Sequence, residues 1–259
     1  AQSLKDGFEV QLDAPDMKPD LYFVVVGTNG SYGDLDQAES DCRILSSSVQ
    51  ALNRAQNAFG KVHAISFLGE EVGPKTLEQM RGHLSGIRPE DHLYLYFSGH
   101  GNTSMGSEYH YSYHDQKDGQ NGIAFSDLDK LLVQCAARQK LAVINTCYAG
   151  RSDITQDSVK ASREFLTMNE IFPNLLPSSG AFVLSTSSGY EEIMEVNLDN
   201  QSISPVAYRM RSVLQRSENL TVTEFCDNMI QYLNSRSTWT YSPEIRQMNK
   251  HHDISNSHD

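Results

Sequence analysis

The sequence predicts an α/β domain built on a mostly parallel β-sheet with helices on both faces. Short apolar runs recur along the chain: LYFVVVG at 21–27, HLYLYFS at 92–98, KLAVIN at 140–145 and GAFVLST at 180–186. Near-continuous runs of this kind mark strands buried on both faces, as parallel strands are. Between them lie segments with apolar residues at helical spacing. Strands alternating with helices at this interval call for right-handed crossovers and parallel neighbours.

Taken in order, residues 1–20 are polar and carry two prolines, and they read as a leader or linker with an edge strand at 8–12. Leu21–Gly27 is a buried strand and 28–33 a glycine-bearing turn. Asp36 with Glu39 three places later predicts a capping box for a helix to about Ala58, with Ile44, Leu45, Val49 and Leu52 on its apolar stripe. The next strand spans 61–68. After Gly73–Pro74, Thr76 and Gln79 predict the start of a helix running to about Gly86. The 92–98 strand leads into a long loop, rich in glycine and tyrosine, over 102–124. A helix from Ser126 to about Ala137 then precedes the strand at 140–145.

Residues 151–178 are polar with little periodicity, and read as a surface loop with one short helix at about 162–171. Beyond the strand at 180–186, helices are expected at 205–216 and 222–235, the second with a Thr221…Glu224 capping box. A last strand falls within 239–248, and the tail 249–259 has the composition of a disordered segment. The domain is thus expected over 21–248.

The bulk numbers bound the function. At 259 residues with 39% hydrophobic content, the chain can bury a full core. The mean hydropathy of −0.47 and the lack of a long apolar stretch imply a soluble protein without a membrane span. The net charge of −12 argues against nucleic acid or anionic membranes as partners, and suits either a soluble surface or a cleft attracting cationic substrates. The four cysteines, Cys42, Cys135, Cys147 and Cys226, form no CxxC pair, which argues against a zinc site or a disulfide scaffold. The chain opens at Ala1 without a signal-peptide pattern, as a processed or excised piece would, and the compartment stays open between cytoplasmic, slightly favoured, and a processed secreted form. Sequons at Asn29, Asn102, Asn200 and Asn219 read as chance, since two lie in the loops assigned to the site.

Two strand ends carry the chemistry. His100 follows one buried strand and Cys147 another, with enough chain between them for one crossover helix and a loop. If the strands are parallel neighbours, both side chains emerge at the carboxyl edge of the sheet, where open α/β folds place ligands. A cysteine nucleophile needs its thiolate, and an imidazole supplies the base. Gly99 and Gly101 clear side chains from around that base. The backbone N–H groups of Gly101 and Cys147 are then the expected oxyanion hole. Cys42, Cys135 and Cys226 read as small core hydrophobes.

YFSGHG at 96–101 and INTCYAG at 144–150 resemble the corresponding blocks of the caspase-like (clan CD) cysteine peptidases, a group that includes caspases, metacaspases and prokaryotic relatives. The resemblance runs over about 21–248. It implies the caspase-hemoglobinase fold with a six-stranded, mostly parallel sheet, a large-subunit-like part to about 150, a linker loop at 151–178 and a small-subunit-like part at 179–248. It makes His100 the general base and acid and Cys147 the nucleophile of a dyad acting on polypeptide substrates. The 184–190 run resembles the strand and loop bordering the substrate groove, and 123–128 the helix-opening block that follows the histidine loop in metacaspases.

Specificity is read from the neighbours of the dyad. Caspases hold an aspartate side chain with arginines, and this chain has no arginine at 31–41 or 189–196. Asp41 matches an acidic S1 residue of metacaspases, while Asn145 stands where metacaspases have Asp and caspases Gln. With Ser185 and Glu191 these form the expected S1 pocket, and an acidic pocket pairs with Arg or Lys at P1. Peptidases with Asp or Asn specificity, and a caspase-like signalling module with dormant or lost activity, are the alternatives. Arg151, Lys160 and Arg163 in the linker are candidate self-cleavage points. No cofactor is expected. The calcium dependence of many metacaspases has only Asp115, Asp118 and Asp127 to point to, without a clear site. A regulatory partner or flanking domains fit the family pattern.

Overall fold

The computed structural model describes residues 18–31, 35–103, 109–115, 122–146, 180–186, 202–216, 222–235 and 244–246. Its elements run β1 (Leu21–Gly27), α1 (Ala38–Gln56), β2 (Val62–Leu68), α2 (Thr76–Leu84), β3 (His92–Gly99), β4 (Gly101–Thr103), β5 (Tyr109–Ser112), β6 (Gly122–Ala124) and α3 (Phe125–Gln134). They continue with β7 (Gln139–Thr146), β8 (Ala181–Ser185), α4 (Pro205–Arg216), α5 (Val222–Asn234) and β9 (Glu244–Arg246).

A six-stranded sheet in the order β2-β1-β3-β7-β8-β9 forms the centre. Neighbours from β2 to β8 are parallel, and β9 closes the edge antiparallel to β8. The apolar runs explain why. Every residue of β1 and of β8 is buried, and a strand covered on both faces has no polar side to alternate with. Val24, Val25 and Val26 are each fully buried, which stabilises the fold by roughly 1.5–3 kcal/mol per side chain.

Two cores lie on opposite faces of the sheet. On one, Val24, Val26, Phe97 and Ile144 pack with Met80 and Leu84 of α2 and Leu128 and Leu132 of α3. On the other, Val25, Tyr96 and Leu184 pack with Leu45 of α1, Met210 of α4 and Met229 of α5. The expected α/β architecture with helices on both faces is what the chain adopts.

Several local expectations are corrected. Helix α1 begins at Ala38 with Gln37, not Asp36, in the N-cap position. The reciprocal cap is instead made from a distant residue: Glu39 N–H donates to Asn29 Oδ1 at 3.1 Å, and Asn29 N–H to the Glu39 carboxylate at 3.5 Å. Helix α2 does start at Thr76 but ends at Leu84, and the Thr76 hydroxyl ties the preceding loop, donating to Glu71 O and accepting from Gly73 N–H. The 102–124 stretch is not all loop, because β4, β5 and β6 form a small antiparallel sheet within it. Helix α3 starts at Phe125 and ends at Gln134.

The expected strand at 8–12, the short helix at 162–171, Thr221 of the last capping box and the tail lie outside the described residues. Among the described residues no helix is long and apolar enough to cross a membrane.

Candidate active site

The carboxyl edge of the sheet carries the described candidates His100, Gly101, Asn145 and Ser185. The register of β3 on β7 pairs Ser98 with Asn145 and Gly99 with Thr146. The residues that directly precede His100 and Cys147 in sequence are therefore side by side on neighbouring parallel strands. Cys147 itself lies outside the described residues, as do Glu191, Arg151, Lys160 and Arg163.

His100 is half-buried and its backbone is held by the small sheet, with Ser112 N–H donating to His100 O at 3.0 Å. Gly101 opens β4 opposite Tyr111. Two tyrosines clamp this sheet onto the strand ends. Tyr111 donates from its hydroxyl to Ser98 O at 2.6 Å, and the Tyr109 hydroxyl lies 2.7 Å from Thr146 Oγ1. Gly99 makes the close approach feasible. At φ +151°, a Cβ there would stand 2.7 Å from the Tyr111 hydroxyl and 3.0 Å from Thr28 O.

The turn after β1 forms the other side of the histidine. The ring of His100 lies against Gly30, close enough that a Cβ on Gly30 would be 3.7 Å from Cδ2. Thr28 fixes that turn. Its hydroxyl lies 2.8 Å from His114 Nδ1 and accepts from Gly30 N–H at 3.1 Å, while Ser31 N–H donates to His114 O.

Asp41 and Asn145, expected together in one pocket, share a buried polar cluster on the α1 side of the sheet. Asp41 is fully buried. Its carboxylate accepts from the Tyr96 hydroxyl at 3.0 Å, the Ser98 hydroxyl at 3.4 Å and Ser204 N–H at 2.8 Å. The Asn145 amide nitrogen donates toward Tyr96 Oη and Ser204 Oγ, both at 3.2 Å, and Ser98 Oγ at 3.4 Å. Its Oδ1 accepts from Thr186 Oγ1 at 2.9 Å. Among the described residues, all donors to Asp41 are neutral. Burial, only partly offset by the bonds from Ser204, Tyr96 and Ser98, pushes its pKa up to about 6.

Ser185 is buried in β8, one place before the residue that reaches Asn145, and strand alternation turns it to the opposite face from Thr186. Sequence reading thus missed Tyr96, Ser98, Thr186 and Ser204 as members of the cluster. Ser98 lies inside the YFSGHG run and could have been found there. Ser204, on a different part of the chain, could not.

The remaining cysteines of the described region are thiols. Cys42 and Cys226 are buried, Cys135 half-buried, and burial pushes all three thiols up. Among the described residues no group of three or more His, Cys, Asp or Glu side chains is arranged to hold a metal ion. Asp127 pairs with Lys130 at 2.9 Å, and Asp118 is outside the described residues.

No protein-family model matches the chain, and no curated protein matches it in sequence. Solved structures do. The chain is similar to protein GSU0716 from Geobacter sulfurreducens, with a TM-score of 0.60 and 10% identity over 88% of this chain and 93% of that one. It is also similar to caspase-1 from Spodoptera frugiperda, with a TM-score of 0.55 and 11% identity over 90% and 88% of the two chains. The fold is caspase-like.

Proposed function

We propose that this chain is a cysteine endopeptidase in which Cys147 attacks the peptide carbonyl and His100 shuttles the proton. What carries the reading is the pairing of Gly99 with Thr146, which makes the residues leading into His100 and Cys147 neighbours on one sheet edge. The likeness of the fold to an insect caspase-1 supports it.

In the proposed reaction, His100 takes the thiol proton and the thiolate adds to the scissile carbonyl carbon. The oxyanion is received by the backbone N–H groups of Gly101 and Cys147. Collapse expels the amine, protonated by His100, and leaves a thioester. Water, deprotonated by His100, then hydrolyses it. No cofactor enters these steps.

The P1 residue is proposed to be Arg or Lys, with Asp41 and Asn145 as the polar end of the S1 pocket. Supporting this is the environment of Asp41, a buried carboxylate whose donors among the described residues are all neutral. Such a group gains most from a cation that brings both charge and N–H donors. An aspartate at P1 would meet like charge. The linker residues Arg151, Lys160 and Arg163 would then be self-cleavage points of matching type.

One observation favours a dormant form as the second reading: Asp41 has no exposed surface. A chain held in this state would act as a caspase-like module until a partner or a cleavage releases it.

Fluorogenic peptides with Arg, Lys, Asp or Asn at P1, assayed beside the Cys147→Ala variant, test the proposal. Turnover of the Arg and Lys peptides by the wild type alone is expected. Turnover of the Asp peptide alone would overturn the specificity.

A further inference from the structure

Among the described residues, one short segment packs over the Asp41 cluster from outside the sheet. The segment Ser202–Ser204 runs past the start of α1 into α4. The Ser40 hydroxyl donates to Ser202 O, and the Ser202 hydroxyl donates to Asp36 O at 3.0 Å. Ser204 then reaches inward, its N–H on Asp41 and its Oγ accepting from Asn145. The same Oγ accepts from Ala207 N–H at 3.2 Å, which makes Ser204 the N-cap of α4, with Pro205 in the first helical position.

We propose that Ser202–Ser204 is a strap that closes the P1 pocket over Asp41, and that an incoming basic side chain displaces it. The inference rests on Asp41 being the floor of that pocket. It supplies the regulation that the pocket would need.

The other members of the cluster are fixed. Tyr96, Ser98 and Asn145 stand on the central strands β3 and β7, with Thr186 directly after β8, and cannot withdraw without breaking the ladder. The strap is held differently. Ile203 is buried in the core on the α1 side, while the two outer bonds of Ser202, to Ser40 of α1 and to Asp36 just before it, lie at the exposed surface, where water competes for both partners. Among the described partners of Asp41 and Asn145, Ser204 is the one carried by neither a strand nor the residue next to one, and displacement works through it.

Displacement has a chemical driver. A guanidinium offers up to five donors and a full positive charge, and replaces one neutral N–H at Asp41. Only a ligand that binds the open state better can open the strap. A neutral side chain offers Asp41 nothing beyond what Ser204 already gives, and an anionic one is repelled. Opening and selection of the P1 residue are then one event.

The test uses the full chain as Cys147→Ala, with benzamidine as the amidinium probe and benzamide as its neutral counterpart. A second protein adds S40A and S202A, which remove the two outer bonds and touch neither the dyad nor the Asp41 cluster. Calorimetry gives the affinities, and hydrogen exchange follows the backbone amides of Ile203, Ser204, Val206 and Ala207. Thermal melts establish that the variants are folded, with S202A alone as the milder loosening.

Benzamidine is expected to bind and benzamide not to bind. The loosened protein should bind benzamidine about ten-fold more tightly, equivalent to about 1.4 kcal/mol. Benzamidine should also speed exchange at those amides. Binding to the loosened protein alone would support the strap in its strongest form. Equal affinities with unchanged exchange would overturn the strap and leave the P1 reading standing. Binding to neither protein would overturn the P1 reading, and the strap with it.

Discussion

The backbone N–H of Ser204 donates to Asp41 Oδ1 at 2.8 Å, a contact between residues 163 apart in sequence. It fixes the amino end of α4 on the amino end of α1 and buries a carboxylate among neutral donors. The burial, which this bond only partly offsets, has an electrostatic cost that depends on pH.

Asp41 is held at about 6 in the fold, against an ordinary value of 3.8, because burial disfavours its charged form. The folded state therefore binds its proton more tightly than the unfolded chain, and stability from this residue falls as pH rises between those values. A shift of that size corresponds to on the order of 3 kcal/mol. In urea titrations, the stability of the wild type minus that of Asp41→Asn is expected to fall by about that much from pH 4 to pH 7. A difference constant across this range would show that the carboxyl is not so perturbed.

Tyr96 holds two members of the cluster at once, donating to Asp41 and accepting from Asn145. Tyr96→Phe keeps the ring in the core but leaves a carboxylate and an amide each short of one partner. A loss of about 1–3 kcal/mol is expected by chemical denaturation. Unchanged stability would mean that these two bonds contribute nothing measurable.

Gly99 is the tightest point behind the histidine, since its absent Cβ would stand 2.7 Å from the Tyr111 hydroxyl. Gly99→Ala is expected to cost roughly 2–5 kcal/mol, from the unfavourable φ and the clash together. Tyr111→Phe removes the nearest obstructing atom, so the double variant should lose less than the two single losses combined. Strict additivity would place the strain elsewhere.

The strands of the central sheet were legible because doubly buried strands write themselves as unbroken apolar runs, as LYFVVVG and GAFVLST do. Their order was not. Nothing local in Leu21–Gly27 says that it lies between β2 and β3. The small sheet escaped notice because β4 and β6 are three residues long, too short for alternation to register. The cap of α1 was misread for a related reason: Glu39 had a local candidate in Asp36, while its partner Asn29 comes from the turn after β1. At the site, His100 and Asn145 stood out as strand-end residues, and Asp41 as a first-turn acid. Ser204 carried no local signal, because its role exists only once α4 packs on α1.

Activation of Cys147 by His100 is open to covalent labelling. The wild type would be treated with peptidyl chloromethyl ketones bearing Arg, Asp or Asn at P1, and the adduct located by mass spectrometry. One adduct on Cys147 is predicted, absent from Cys147→Ala and formed about 10²-fold or more slowly in His100→Ala. No adduct from any reagent, or an adduct on Cys135 in place of Cys147, would contradict Cys147 as the nucleophile.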